Sequence, residues 1–220
     1  MRISAQLIGA QRHQTLIGTK GAEDVMIYRC EGKARESRVF NKRGSRRTPG
    51  NVPYVVDNLW EWKRPEGFPN RRHSLFASPK PELARKYSQY GDKGVIYAVE
   101  PLGECLLAQI KEEDARCHDD CRKLPRTLIR LLGEGWADKP VEEKDPIAVL
   151  WTPCLLKEEV DGLFRKSPLA LIRKEIWDSI TFWETAKIFA FGKPLPFEEG
   201  EIMMEAEKWK LSVKIGMERT

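Results

Sequence analysis

No apolar run in the 220-residue sequence approaches the roughly 20 residues needed to cross a bilayer, which argues against a membrane-spanning helix. A secretory pattern is missing as well. Met1 to Gly9 is short and mixed in polarity, so the expected compartment is the cytoplasm and no membrane partner is expected. The five cysteines (Cys30, Cys105, Cys117, Cys121 and Cys154) are odd in number and lack framework spacing, which suits free thiols in a reducing compartment and sets aside a disulfide scaffold. Cys117-His118-Asp119-Asp120-Cys121 offers one Cys-x3-Cys, but the second ligand pair of a structural zinc site is lacking, so no metal is expected. Internal repeats and low-complexity blocks are also absent, which excludes a repeat array.

What is present suits a packed, water-exposed domain. Hydrophobic residues make up 41% and aromatic residues 9%, enough for a core, while 32% are charged and mean hydropathy is -0.52. The length favours a single domain over 1–220 with long surface excursions. The net charge of +5 is unevenly placed: Lys33 to Arg47 carries Lys33, Arg35, Arg38, Lys42, Arg43, Arg46 and Arg47. Such a stripe attracts phosphates of a dinucleotide or of a nucleic-acid backbone, or is simply a solvated basic loop.

Alternation of Val25, Ile27 and Arg29 against Met26, Tyr28 and Cys30 predicts a strand over Asp24 to Cys30. An arginine on such a strand needs an anionic partner, a carboxylate or a phosphate. Gly32 to Pro53 reads as a long loop, Val52 to Trp62 as a short helix, His73 to Ser78 as a strand, Pro79 to Tyr90 as a helix and Gly94 to Pro101 as a strand. Lys111 to Arg122 and the segment with Leu124, Leu128, Ile129, Leu131 and Leu132 both look helical. Ile147 to Trp151 is a candidate strand, and Ser167 with Pro168 opens a helix through Ile172, Ile176 and Ile180. Strand pieces are expected at Ile188 to Phe191, Glu201 to Met204 and Leu211 to Ile215.

Three features gain meaning from their order: Ile27-Tyr28-Arg29 in the first strand, Phe76-Ala77-Ser78 leading into Ala84 and Tyr87, and Glu199-Gly200-Glu201-Ile202-Met203 near the end. This order resembles the arginine, serine, glutamate pattern of the mono-ADP-ribosyltransferases, a family that includes bacterial toxins and phage or defence-system enzymes. Val95-Ile96-Tyr97-Ala98-Val99-Glu100-Pro101 is similar to the strand after the serine motif in small bacterial members that modify rifamycins. The resemblance implies an α+β fold, a split β-sandwich around an NAD cleft, with additional helices from an insertion around 111–180. It implies NAD+ as co-substrate, a protein side chain such as arginine or a nucleic acid as acceptor, and, from the toxin members, an antitoxin partner.

Glu201 then takes the role of the carboxylate facing the positive charge that develops on the ribose, and Glu199 that of the group engaging the nucleophile. Two residues apart on a strand, both are expected on one face. Arg29 and Tyr28 fall to the dinucleotide, as do Ser78 and Tyr87. Where the family writes Ser-Thr-Ser this chain has Phe76-Ala77-Ser78, and Ser74 fills the serine position in a different register. Water as the acceptor makes the chain an NAD+ glycohydrolase, and a non-enzymatic RNA-binding module built on the basic loop, Arg71 and Arg72 is the reading from another class. Trp60 and Trp62 are expected to anchor packing, and His73 to hydrogen-bond within its strand.

Overall fold

The computed structural model describes residues 25–213 apart from 33–35, 43, 48–49, 134, 146 and 167. Asp24, Lys33, Arg35, Arg43, Ser167 and Ile215, named in the sequence analysis, lie outside the described residues. In chain order the elements are β1 (Ile27–Glu31), β2 (Arg38–Asn41), α1 (Tyr54–Lys63), β3 (Leu75–Ala77), α2 (Pro81–Lys86) and β4 (Val95–Gln109). Then come α3 (Asp120–Leu132), α4 (Val141–Lys144), α5 (Lys157–Leu163), α6 (Leu169–Ser179), α7 (Phe182–Thr185), β5 (Lys187–Ile188) and β6 (Ile202–Val213). The architecture is mixed α and β, with one six-stranded antiparallel sheet. Among the described residues no helix is long and apolar enough to cross a membrane.

Two long strands, β4 and β6, form the spine of the sheet and share four short ones. β1 and β5 pair with the start and end of β4, and β3 and β2 with the start and end of β6. The register between β4 and β6 slips between Leu102 and Cys105, where Gly103 has φ +84°. A bulge of this kind bends both strands and sharpens their twist. The bend curls the sheet until β3 returns to β1: Tyr28 and Ser78 exchange two backbone hydrogen bonds, each 2.8 Å.

Alternation then sorts the side chains into two cores. Ile27, Tyr97, Val99, Leu107, Ile202 and Leu211 fill the inside of the curl. The outer face carries the helical layer, where Leu59, Trp60, Leu124, Phe164 and Ile176 pack with Met203 of β6. Trp60 stacks on Phe182 at 3.9 Å between centroids and Trp62 on Phe164 at 4.4 Å, so both tryptophans pack in the core. Loss of either ring is the class of change that costs about 3–5 kcal/mol.

Several local expectations give way to tertiary structure. Ile147–Trp151 is a 3-10 turn instead of a strand, because Ile147 and Leu150, three apart, both face the core and the Leu150 carbonyl is held by Asn58. Lys111 to Asp119 is not an α-helix: the Asp114 side chain accepts from Arg116 N at 2.8 Å and opens a 3-10 turn at Ala115–Cys117. The loop read over Gly32 to Pro53 contains β2, paired with β6. The last two expected strand pieces are parts of one strand, β6, and the piece at Ile188 shortens to the two residues of β5.

Candidate active site

The end of β4 fixes the approach to β6. Gln109 is fully buried, and its Nε2 donates to the carbonyls of Phe197, Glu199 and Gly200 at 3.1, 3.1 and 3.3 Å, while its Oε1 accepts from Phe197 N at 3.0 Å. Gly200 has φ +123°, and a Cβ there would sit 2.1 Å from the Ile110 carbonyl oxygen, so only glycine fits. This corner separates the two glutamates expected on one face. Glu199 is exposed and pairs with Lys80 at 2.7 Å, whereas Glu201 turns inward and is buried.

Glu201 is held by four hydrogen bonds. Its N donates to Glu112 O at 2.8 Å and its O accepts from Ile110 N at 3.1 Å. Its Oε2 accepts from Ala115 N at 3.2 Å and its Oε1 from Arg71 Nη1 at 3.3 Å. Burial pushes its carboxyl above the usual glutamate range, and the Arg71 charge works against that shift. The Arg71 guanidinium lies among three rings, with its carbon 4.9 Å from Phe76, 5.1 Å from Trp60 and 5.2 Å from Phe182. Behind it, Asp57 Oδ1 is 3.8 Å from Arg71 Nε, and Asp57 Oδ2 accepts from Arg72 Nε at 2.8 Å. Asn58 accepts from Arg72 Nη2 at 2.8 Å, and Arg72 Nη1 bonds the Leu155 carbonyl. Glu201, Arg71, Asp57 and Arg72 thus alternate in sign through the layer between sheet and helices.

The strand pairing lines up three of the positions read from the sequence. Ser78 pairs with Tyr28, and Ala77 pairs with Ile202, the residue after Glu201. Tyr28, Ser78 and Glu201 therefore fall in one row across adjacent chain segments. Ser74 does not join them; it closes the turn before β3, its Oγ donating to Asn70 O at 2.7 Å.

Arg29 lies at the neighbouring position, and its anionic partner is a carboxylate: Nε donates to Glu31 Oε1 at 2.5 Å, and Nη1 to Phe76 O at 2.7 Å. Arg29 faces Tyr97, on the inner side of the curl, while Glu201 is on the helical side, and no hydrogen bond or ion pair joins them among the described residues. Tyr87, just past α2, donates from its hydroxyl to Glu113 at 2.5 Å.

Comparison with family models, curated proteins and solved structures finds no match.

A buried carboxylate bonded to a caged arginine shares its row with a serine, under a segment, 111–118, that bonds Glu201 and Tyr87 alike. Arg71 and Arg72, expected to follow a phosphate backbone, are instead buried at 5% and 4% exposure in the pairs just described. The described cations of the basic stripe also have internal partners: Arg38 lies 4.2 Å over Phe40, Lys42 pairs with Glu205 at 2.7 Å, Arg46 donates to Cys154 O at 2.6 Å, and Arg47 lies 4.7 Å over Phe76. His73, expected within the strand, lies in the 3-10 turn Arg71–His73 before β3, where its N donates to Asn70 O at 3.0 Å and its Nδ1 is buried without a hydrogen-bond partner. No group of three or more metal-binding side chains gathers among the described residues.

The sequence places Arg71 only on a nucleic-acid-binding face, and gives Gln109 and Glu113 no role. The one available signal was Gln109, a polar residue closing the run Leu106-Leu107-Ala108.

Proposed function

We propose that this chain is a mono-ADP-ribosyltransferase that cleaves NAD+ and transfers ADP-ribose to a macromolecule, with a split, curled sheet of the transferase type around Glu201. The observation that carries the reading is the row Tyr28, Ser78, Glu201: sheet pairing joins three motif segments that are far apart in sequence. Glu201 faces the ribose, and its carboxylate stabilises the positive charge that builds as the bond from ribose to nicotinamide breaks. Nicotinamide leaves with the bonding electron pair, the acceptor's lone pair forms the new bond to the ribose carbon, and the acceptor's proton passes to solvent.

Glu199, exposed at the rim beside Lys80, is the group an incoming acceptor meets first. A protein side chain is the favoured acceptor, because Arg71 and Arg72 are enclosed and unavailable to a nucleic-acid backbone.

The test measures nicotinamide release from NAD+ by the wild-type chain and by Glu201→Gln, followed by transfer of labelled ADP-ribose to a cell extract. Release is expected to fall about a hundredfold or more in the variant, on the order of 3 kcal/mol. Label should be lost to protease and resist nuclease. The opposite sensitivity makes a nucleic acid the acceptor, release without label makes the chain a glycohydrolase, and no release by the wild-type chain sinks the proposal.

A further inference from the structure

The segment that covers Glu201 is latched at its outer end by a single carboxylate. Glu113 Oε2 accepts from Lys86 Nζ at 2.6 Å and from the Tyr87 hydroxyl at 2.5 Å. The guanidinium carbon of Arg116 sits 5.0 Å over the Tyr87 ring, so a second cation attends the same place. Two donors meeting on one anionic oxygen, with a further positive charge beside them, is the geometry in which proteins hold phosphate oxygens. Lys86 also lines a hollow of about 450 Å³ together with Glu82, Arg85 and Asp92, so space for a larger ligand adjoins this donor.

The latch is open to competition. The side chains of Glu113 and Lys86 are 29% and 58% exposed, and ion pairs at that exposure are held weakly against solvent and dissolved ions. The same short segment reaches inward, with Glu112 O and Ala115 N bonding Glu201, so its outer and inner ends report on each other. Lys86 and Tyr87 hold the Glu113 carboxyl below the usual glutamate range, which keeps it an anion at neutral pH.

We propose that Lys86 and Tyr87 form a subsite for a phosphate group of a nucleotide, and that Glu113 is its stand-in within the chain. An arriving phosphate displaces the Glu113 carboxylate and draws the 111–118 segment away from Glu201. The choice of a nucleotide as the phosphate carrier rests on the NAD+ reading above.

Calorimetric titration of ADP into the full chain tests this, with adenosine as the phosphate-free control. Glu113→Gln is expected to bind ADP about tenfold more tightly than the wild-type chain, Lys86→Met about tenfold more weakly, and Tyr87→Phe about threefold more weakly. Adenosine affinity should be unchanged in all three. Equal ADP affinity across the four proteins, or no ADP binding by any, overturns the subsite. Nicotinamide release by the wild-type chain in that case leaves the transferase reading standing. The expected ADP pattern without nicotinamide release keeps the subsite and removes the transferase reading.

Discussion

Glu201 is held in opposition: burial favours its protonated form, and the Arg71 guanidinium and Ala115 N–H favour the ionised one. Because burial is the larger influence, the folded chain keeps this proton to a higher pH than the unfolded chain does. The folded state therefore loses stability as pH rises from the ordinary glutamate value, about 4.3, through the raised value of Glu201. Glu205 acts in reverse. Burial works to raise its carboxyl, but Lys42 and Asn70 N together hold it low, so its contribution is present at neutral pH and is lost in acid. Urea midpoints measured from about pH 4 to pH 8 should fall with rising pH more steeply in the wild-type chain than in Glu201→Gln. Parallel curves would mean that Glu201 titrates as it does in water.

Motif order singled out Glu201 and Ser78 but gave no sign of Arg71, the buried ion-pair partner of Glu201. Arg71 sits in a run of basic residues that reads as surface, and its burial depends on rings from α1, β3 and α7 closing round it.

At the scale of elements, Asp120 ties three helices together. It accepts from Trp60 Nε1 at 2.9 Å on α1, from Thr181 N and Oγ1 at 3.0 and 2.8 Å, and from Phe182 N at 3.1 Å at the start of α7. Asp120→Ala leaves these buried donors without an acceptor and is expected to cost about 3–5 kcal/mol by urea unfolding. Asp120→Asn, which keeps one carbonyl oxygen, should cost less. A loss under about 1 kcal/mol in the alanine variant would show that water replaces the carboxylate.

The elements themselves were unevenly legible. β1 is legible from its run of β-branched and aromatic residues, but β2 is Arg38-Val39-Phe40-Asn41, an edge strand whose polar positions disguise it as loop. β4 runs past Pro101, where a sequence reading ends it, because the β6 pairing continues through Pro101 and resumes beyond the bulge. α3 contains Pro125 and remains helical because Leu124 and Leu128 are fully buried in the helical core.

For the whole molecule, a ligand that binds only the folded chain raises its stability in proportion to the logarithm of its concentration. NAD+ at about a hundred times its dissociation constant adds roughly 2.7 kcal/mol. For a chain of this length that raises Tm by roughly 5–10 °C. Thermal melts should show the rise with NAD+ in both the wild-type chain and Glu201→Gln, because the variant loses turnover and keeps the fold. Melts unmoved by NAD+ at millimolar concentration count against NAD+ as the co-substrate.

β6 is made last of all the described elements, yet it is the strand on which β2, β3 and most of β4 depend. A ribosome that has not yet translated Ile202 to Val213 therefore holds a chain in which β1 and β5 have their partner in β4, while β2 and β3 have no strand to pair with. The Gly200 corner and Glu201 are made immediately before β6, and Glu201 turns inward only once that strand is in place. Any activity of this site is withheld until Val213 has been translated and β6 has paired with β2, β3 and β4.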